Sequence, residues 1–397
     1  YPLHHGMSTV ESRRGASSHQ LNPFAALVTK NTDEDYGEVY ATALVYSGDF
    51  KILAEKDHYG NARFMAGLNP ETFSWELNAG DSFVTPEALL AFGRLSDPQM
   101  SPDGEYILYG VSYTSTADNR SCRNLFICRK DGSDRQQITK SGKSLSNARW
   151  INGGKGLAFI MGGQIWTANL KQGKDGWKVS GLTQISNVPA GISEFKLSPD
   201  QSKMIYVSYV KSDVKTPADC YEDLGKANAY TTDDLMYRHW DHTVMEIPHS
   251  FIADFSPKAE MSVTPEVSVD ILEGDPANYE LPTEPFSGIE QLDWSPDGKY
   301  IAYSCRKVTG KRYAFSTNTE IYIYNLENGK SSLISNAGGY DTDPVWSPDG
   351  SRICWVSMER DGYEADKQRL MVAEADWSNL DENGCPKVSE PVDATAD

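Results

Sequence analysis

Few side chains in this 397-residue sequence have both the type and the spacing that reactive chemistry needs. His239, Asp241 and His242 carry metal-ligand atoms at near-helical spacing, but a metal also needs a third or fourth ligand converging from elsewhere. A helical insertion packed on the body of the protein is the favoured account, so no metal and no cofactor is assigned. Glu359, Arg360, Asp361, Glu364 and Asp366 form an acid-rich string after a strand pattern. Carboxylates there could hold a cationic group by charge-assisted hydrogen bonds; the alternative is a solvated acidic loop. Glu359, Arg360 and Glu364 are the candidate substrate-binding residues. No catalytic residue is assigned, because no Gly-x-Ser-x-Gly string occurs to present a serine nucleophile on a strained turn. The six cysteines (122, 128, 220, 305, 354 and 385) include no CxxC and no close Cys/His pair. That spread argues against a zinc module or a dense disulfide scaffold, and Cys122 and Cys128 read as buried free thiols.

The charge balance narrows the class of partner. Against 56 Asp and Glu stand 37 Lys and Arg, a formal charge of −19, which is the wrong sign for a nucleic-acid surface. No run approaches the ~20 apolar residues of a membrane helix, so neither nucleic acid nor membrane insertion is expected. The opening Tyr1-Pro2-Leu3-His4-His5 has no initiator Met and no signal pattern, and reads as processed or excised. The compartment is unknown on this basis.

The elements that would position these residues come from an internal repeat. Gln99-Met100-Ser101-Pro102-Asp103-Gly104, Ala148-Arg149-Trp150-Ile151-Asn152-Gly153-Gly154, Phe195-Lys196-Leu197-Ser198-Pro199-Asp200, Leu292-Asp293-Trp294-Ser295-Pro296-Asp297-Gly298 and Pro344-Val345-Trp346-Ser347-Pro348-Asp349-Gly350 fall in register. Their anchors at 100, 150, 197, 294 and 346 give a period of about 49, with one doubled gap and one anchor lost near 245. In each unit an apolar strand end meets a Pro/Gly turn, and an alternating strand follows, such as Tyr106–Tyr109, Met204–Val207, Tyr300–Tyr303 or Arg352–Trp355. Further strands follow at Asn124–Cys128 and Glu320–Tyr324, with Gly turns at Asp131-Gly132 and Asn328-Gly329. Three or four strands per ~49 residues make a β-propeller blade, and Gly93 to the end would hold about six. Residues 211–250 interrupt the repeat and are expected to project as an insertion.

From about residue 85 onward the sequence also resembles a family. Thr85-Pro86-Glu87-Ala88-Leu89, Gly93-Arg94-Leu95-Ser96-Asp97, the Ser-Pro-Asp-Gly repeats, Asp234-Leu235-Met236-Tyr237-Arg238-His239-Trp240-Asp241, Tyr313-Ala314-Phe315-Ser316-Thr317-Asn318 and Met358-Glu359-Arg360-Asp361-Gly362-Tyr363-Glu364-Ala365-Asp366-Lys367 are similar to the propeller of dipeptidyl peptidases of the prolyl oligopeptidase family. The resemblance implies a propeller that caps an α/β-hydrolase, filters peptides by size and helps to hold their free amino terminus. It also implies serine chemistry in a hydrolase domain that this sequence does not encode, and for such enzymes a periplasmic or extracytoplasmic location. The propeller is expected to be open or incomplete, with free β edges through which the chain could oligomerise.

The first 84 residues do not share the repeat. Ser12-Arg13-Arg14-Gly15-Ala16-Ser17-Ser18-His19-Gln20, Asn22-Pro23-Phe24, Gly37-Glu38-Val39-Tyr40, Leu44-Val45-Tyr46-Ser47-Gly48 and Gly67-Leu68-Asn69-Pro70 resemble the N-terminal β-sandwich of glycoside hydrolase family 36 α-galactosidases. Val39 to Val45 and Phe64 to Leu68 read as strands, Tyr46 to Asp49 as a turn, and Phe73, Trp75 and Phe83 as buried aromatics. The two resemblances meet at Thr85 to Phe92, and the simplest account is a junction at a short shared string. The expectation is therefore an all-β chain: a partial sandwich over 1–84, then an incomplete propeller over 85–397. Its function would be that of a peptidase gating region, inactive alone, whose partners are peptides with a free amino terminus. An α-galactosidase fragment and a non-catalytic peptide- or protein-binding propeller are the alternatives.

Overall fold

Four of the five anchors fold into one turn design. In the computed structural model, Ser101 Oγ donates to Asp103 Oδ1 at 2.6 Å and accepts from the Tyr106 amide at 2.9 Å. Ser198 with Asp200, Ser295 with Asp297 and Ser347 with Asp349 repeat the first contact at 2.7, 2.6 and 2.6 Å. The amides of Lys203, Tyr300 and Arg352 repeat the second. Gly104, Gly298 and Gly350 take the positive φ (71°, 69° and 71°) that closes the turn, and Gln201 accepts the same conformation at 57°.

The structure describes residues 92–396 except 116–117, 241 and 336–337, the pair 89–90, and the backbone of three early strands. These three are β1 (Ala25–Val28), β2 (Lys51–Lys56) and β3 (Ala62–Gly67), an antiparallel sheet ordered β1-β3-β2. β3 takes in most of the strand expected at Phe64 to Leu68. The strand at Val39 to Val45, the turn at Tyr46 to Asp49, the aromatics Phe73, Trp75 and Phe83, His19, Asp241 and the boundary near 84–85 lie outside the described residues.

The chain divides into two compact units, Tyr1–Gln184 and Ile185–Asp397. The first unit holds two four-stranded antiparallel meanders. One is β4 (Arg94–Met100), β5 (Tyr106–Ser115), β6 (Arg120–Arg129) and β7 (Gln136–Gln137); the next is β8 (Leu145–Ile151), β9 (Gly156–Met161), β10 (Gln164–Gly173) and β11 (Gly176–Gln184). In the second unit, β12 (Glu194–Leu197) and β13 (Lys203–Lys211) are followed by a ribbon, β14 (Arg238–His239) with β15 (His242–Thr243). β16 (Glu246–Asp254) and β17 (Val269–Asp270) then complete the third sheet. The fourth sheet is β18 (Leu292–Trp294), β19 (Tyr300–Cys305), β20 (Glu320–Asn325) and β21 (Lys330–Leu333). The fifth is β22 (Asp341–Trp346), β23 (Arg352–Ser357), β24 (Arg369–Leu380) and β25 (Pro386–Val388), with β26 (Val392–Asp393) also paired to β24. Among the described residues the chain adopts the all-β class expected from the repeat, with no closed barrel.

Consecutive meanders within a unit pack face to face. Leu108, Leu125 and Ile127 of the first sheet share a core with Trp150, Leu157, Phe159 and Leu170 of the second. Ile205, Val207 and Ile252 of the third sheet meet Trp294, Ile301 and Tyr303 of the fourth, whose other face meets Trp346, Ile353 and Trp355 of the fifth. Each of these side chains buries on the order of 1.5–3 kcal/mol of apolar transfer free energy. The anchor tryptophans add a repeated polar tie: Trp150 Nε1 donates to the Gln99 carbonyl at 3.1 Å and Trp294 Nε1 to the Lys196 carbonyl at 3.4 Å. Gln99 and Lys196 occupy the same place in the repeat.

Two expectations need correction. The count of about six units becomes five among the described residues, because the 97-residue spacing between anchors 197 and 294 is one sheet with long excursions at 212–245 and 271–291, and no anchor was lost near 245. The histidines expected on a helical insertion instead face each other across the β14–β15 ribbon, with His239 in register with His242. The only α-helix of this excursion among the described residues is α1 (Pro217–Cys220), capped reciprocally by Thr216 and Asp219. Cys122 and Cys128 are free thiols on β6, Cys128 buried and Cys122 half-buried. Among the described residues no helix is long and apolar enough to cross a membrane.

Candidate functional site

The excursion at 271–291 is pinned from several directions. The Leu281 amide donates to the Pro248 carbonyl at 2.9 Å, and the Leu281 carbonyl accepts from Ser250 Oγ at 2.9 Å. Buried Gln291 accepts from the Thr283 amide at 2.8 Å and donates to Thr342 Oγ1 at 3.0 Å. These bonds fix the backbone that carries Glu280, Glu284 and Glu290. The excursion at 212–245 is held by Ser212 Oγ on the Val244 carbonyl at 2.6 Å and by Asp234, which accepts from the Gly310 amide at 3.2 Å.

A cavity of about 330 Å³ opens beside the 271–291 segment, lined in part by Glu194, Tyr209, Glu284, Phe286, Gly288 and Glu290. Its lining carries three carboxylates and no lysine or arginine. Glu194 Oε2 accepts from the Ile289 amide and Glu290 Oε1 from the Gly288 amide, both at 2.7 Å, so both carboxylates gather at one backbone turn. Gly288 lets the two carboxylates approach this closely, because a Cβ would lie 2.5 Å from Glu194 Oε2 and 2.9 Å from Glu290 Oε2 and would push them outward. Tyr209 Oη donates to Glu284 Oε1 at 2.9 Å. Burial raises the Tyr209 hydroxyl well above its ordinary value, and Glu284, Glu194 and Glu246 raise it further. Phe286 and Trp240 stand edge to face with ring centres 4.7 Å apart, and are 71% and 76% exposed. A negative cavity beside exposed aromatic faces suits a cation with an apolar substituent.

Behind Glu284 lies a more deeply buried cluster. His239 Nε2 is hydrogen-bonded to Glu280 Oε1, and both residues are under a tenth exposed. Glu280 Oε2 accepts from Tyr313 Oη at 2.8 Å and faces the Arg306 guanidinium at 3.5 Å. Arg306 also donates to Tyr313 Oη at 2.8 Å and lies 4.2 Å from the centre of that ring. Burial first, and Glu280 after it, raise the Tyr313 hydroxyl far above its ordinary value.

The acidic string lies on the exposed loop between β23 and β24. Arg360 is paired to Asp366 through Nη2 at 2.9 Å and Nε at 3.1 Å, which holds the Asp366 carboxyl far below the usual range. Asp361 accepts from Ser316 Oγ and from the Thr317 and Asn318 amides, tying the loop to the 310–318 segment. Glu359 sits 3.7 Å from Arg369, and Glu364 is exposed. None of the three candidates Glu359, Arg360 and Glu364 lines the acidic cavity. A larger cavity of about 450 Å³ lies at Ser331, Ser332 and Asp381–Asn383, where Asn383 Nδ2 donates to the Ser331 carbonyl and to Ser332 Oγ. Sequence reasoning missed Glu194, Glu280, Glu284 and Glu290. The one available signal was that three of them fall in the long gap where the repeat loses its period.

Comparison with known proteins agrees with both sequence resemblances. Residues 1–78 match the family described as the glycosyl hydrolase family 36 N-terminal domain. The chain is 44% identical over 300 residues to dipeptidyl-peptidase 5 of Porphyromonas gingivalis, covering 75% of this chain and 42% of the relative. It is 37% identical over 298 residues to dipeptidyl-peptidase 5 of Porphyromonas endodontalis, covering 73% and 41%. Alpha-galactosidase AgaA of Geobacillus stearothermophilus is 54% identical over 91 residues, 23% of this chain and 12% of the relative. Among solved structures, an acylaminoacyl peptidase in complex with Z-Gly-Gly-Phe-chloromethyl ketone matches with a TM-score of 0.48 at 17% identity, over 72% of this chain and 38% of that one. The chain therefore combines a region similar to dipeptidyl-peptidase 5 with one similar to family 36 α-galactosidases. It spans less than half the length of the dipeptidyl peptidases it matches.

Proposed function

We propose that residues 85–397 are the substrate-gating propeller region of a dipeptidyl peptidase-like serine peptidase, and that the cavity of Glu194, Glu284 and Glu290 receives the free amino terminus of a peptide. The observation that carries this reading is a cavity lined by three carboxylates and no cationic side chain. An ammonium can donate three hydrogen bonds, and charge-assisted bonds to carboxylates are about twice as strong as neutral ones. The similarity to the two dipeptidyl peptidases supports the substrate class. With no Gly-x-Ser-x-Gly string in the sequence, these 397 residues are expected to bind peptide without turnover. Glu359, Arg360 and Glu364 are proposed as outer contacts on the same approach path.

The test compares a fluorescent peptide bearing a free amino terminus with its N-acetylated form, by anisotropy. Acetylation should weaken binding by about tenfold or more, roughly 1.4 kcal/mol. Glu290→Gln should weaken only the free-amine peptide, and by more than Glu364→Lys does. Equal affinity for the two peptides would overturn the reading.

A further inference from the structure

We propose that His239, Glu280 and Glu284 form a site for a divalent transition-metal ion, with zinc as the best-matched occupant. One ligand atom from each residue lies within 4.8 Å of the other two. Ligands about 2.1 Å from a common ion can stand up to about 4.2 Å apart, so small side-chain movements complete the sphere. The His239 imidazole and two carboxylates are a donor set of borderline character that suits zinc. Three protein donors leave a fourth position for solvent.

A second observation separates this cluster from a chance meeting of acids. Each carboxylate has one oxygen held from outside by a phenol: Tyr313 Oη donates to Glu280 Oε2 at 2.8 Å, and Tyr209 Oη to Glu284 Oε1 at 2.9 Å. Arg306 supports the first of these phenols and faces the same Glu280 oxygen. Hydrogen bonds of this kind aim ligating carboxylates at metals. The outer bonds leave Glu280 Oε1 directed at His239 Nε2, inside a region where both residues are buried. In the metal-free site the neutral His239 ring meets this carboxylate oxygen by donating its Nε2–H; an ion bound there would take the place of that proton, with both atoms as ligands. Two carboxylates against one guanidinium leave the cluster negative, which favours a divalent ion. The ion would clamp the β14–β15 ribbon, which carries His239, to the segment that carries Glu280 and Glu284. The site shares Glu284 with the cavity proposed for the amino terminus, whereas His239 and Glu280 do not line that cavity.

The experiment titrates chelator-treated 397-residue protein with zinc sulfate by calorimetry, and with cobalt chloride by visible absorption. One equivalent of zinc should bind with micromolar or tighter affinity, and cobalt should give the visible bands of a low-coordinate site. His239→Ala and Glu284→Gln should each weaken zinc by at least about tenfold. Glu284 is only half-buried, so Glu284→Gln stays informative if His239→Ala fails to fold; at equal zinc the melting temperature of the parent should rise by more than that of Glu284→Gln. Glu290→Gln should leave zinc binding intact while impairing free-amine peptides, so the two readings fail separately. No zinc binding by the folded parent up to about 0.1 mM would overturn the proposal. So would one-equivalent binding unchanged in both variants, which would place the ion elsewhere.

Discussion

Gly110 on β5 is a glycine because a buried arginine occupies the space its side chain would need. A Cβ there would fall on the guanidinium of Arg123, whose Nη1 donates to the Leu145 carbonyl at 2.7 Å and whose Nε donates to Ser96 Oγ at 3.2 Å. Asp97 stands 4.0 Å from the same guanidinium and accepts both of its short contacts from Arg149 Nη1, at 2.8 and 2.9 Å. Burial lowers the Arg123 pKa below its ordinary value, and the Asp97 charge opposes that shift. One arginine on β6 therefore bonds to the edge strand β4 of its own sheet and to β8 of the next. Gly110→Ala should displace it and leave a buried charge poorly bonded, at a cost of about 2–3 kcal/mol. Urea unfolding of the variant against the parent measures this; a loss below about 0.5 kcal/mol would mean that the guanidinium relocates without penalty. Nothing in the sequence around Gly110 announces this role, because Arg123 lies 13 residues away on the neighbouring strand.

Among elements, the Ser-Pro-Asp-Gly turn is the most legible, since every bond it makes is closed within about six residues. Its aspartates show how the turn depends on charge. Hydroxyl and amide donors pull the Asp200 and Asp349 carboxyls from 3.8 to about 2, with the serine hydroxyl as the first cause in each. A carboxyl depressed in the folded state favours folding while it is ionised. That contribution is fully present above about pH 4 and is lost as pH falls through 2. Asp349→Asn should therefore be less stable than the parent at pH 7, and the gap should narrow between pH 4 and pH 2. Denaturant midpoints across that range check it; a pH-independent gap would assign the effect to shape instead of charge. Three of the five sheets' first strands share a further element-level feature that the sequence hid. β4, β8 and β22 each shift register at a residue with positive φ: Asp97 (52°), Asn147 (51°) and Asp343 (54°). Aspartate and asparagine tolerate that conformation, but their identity alone does not mark a bulge.

For the molecule as a whole, exposed strand edges are the main liability. Among the described residues β4 is an outer strand of the first sheet and presents Leu95 and Met100, while β26 presents Val392 in the fifth. Unpaired edges with apolar side chains template pairing with other chains. The 397-residue chain should therefore form concentration-dependent oligomers in light scattering, and Leu95→Lys with Val392→Lys should shift it toward monomer. A parent that stays monomeric at every concentration would count against the edges as sticky surfaces. The sequence by itself determined the all-β class, the turns and the principal strands, and it carried both family resemblances, because these depend on local chemistry and alternation repeated about every 49 residues. It could not set the number of sheets, since a lost repeat and an inserted segment produce the same 97-residue gap. Nor could it assemble the site: His239 meets Glu280 from 41 residues away, and Glu194 meets the Ile289 amide from 95. Those meetings depend on how two segments without any period cross the third and fourth sheets, which only the tertiary structure decides.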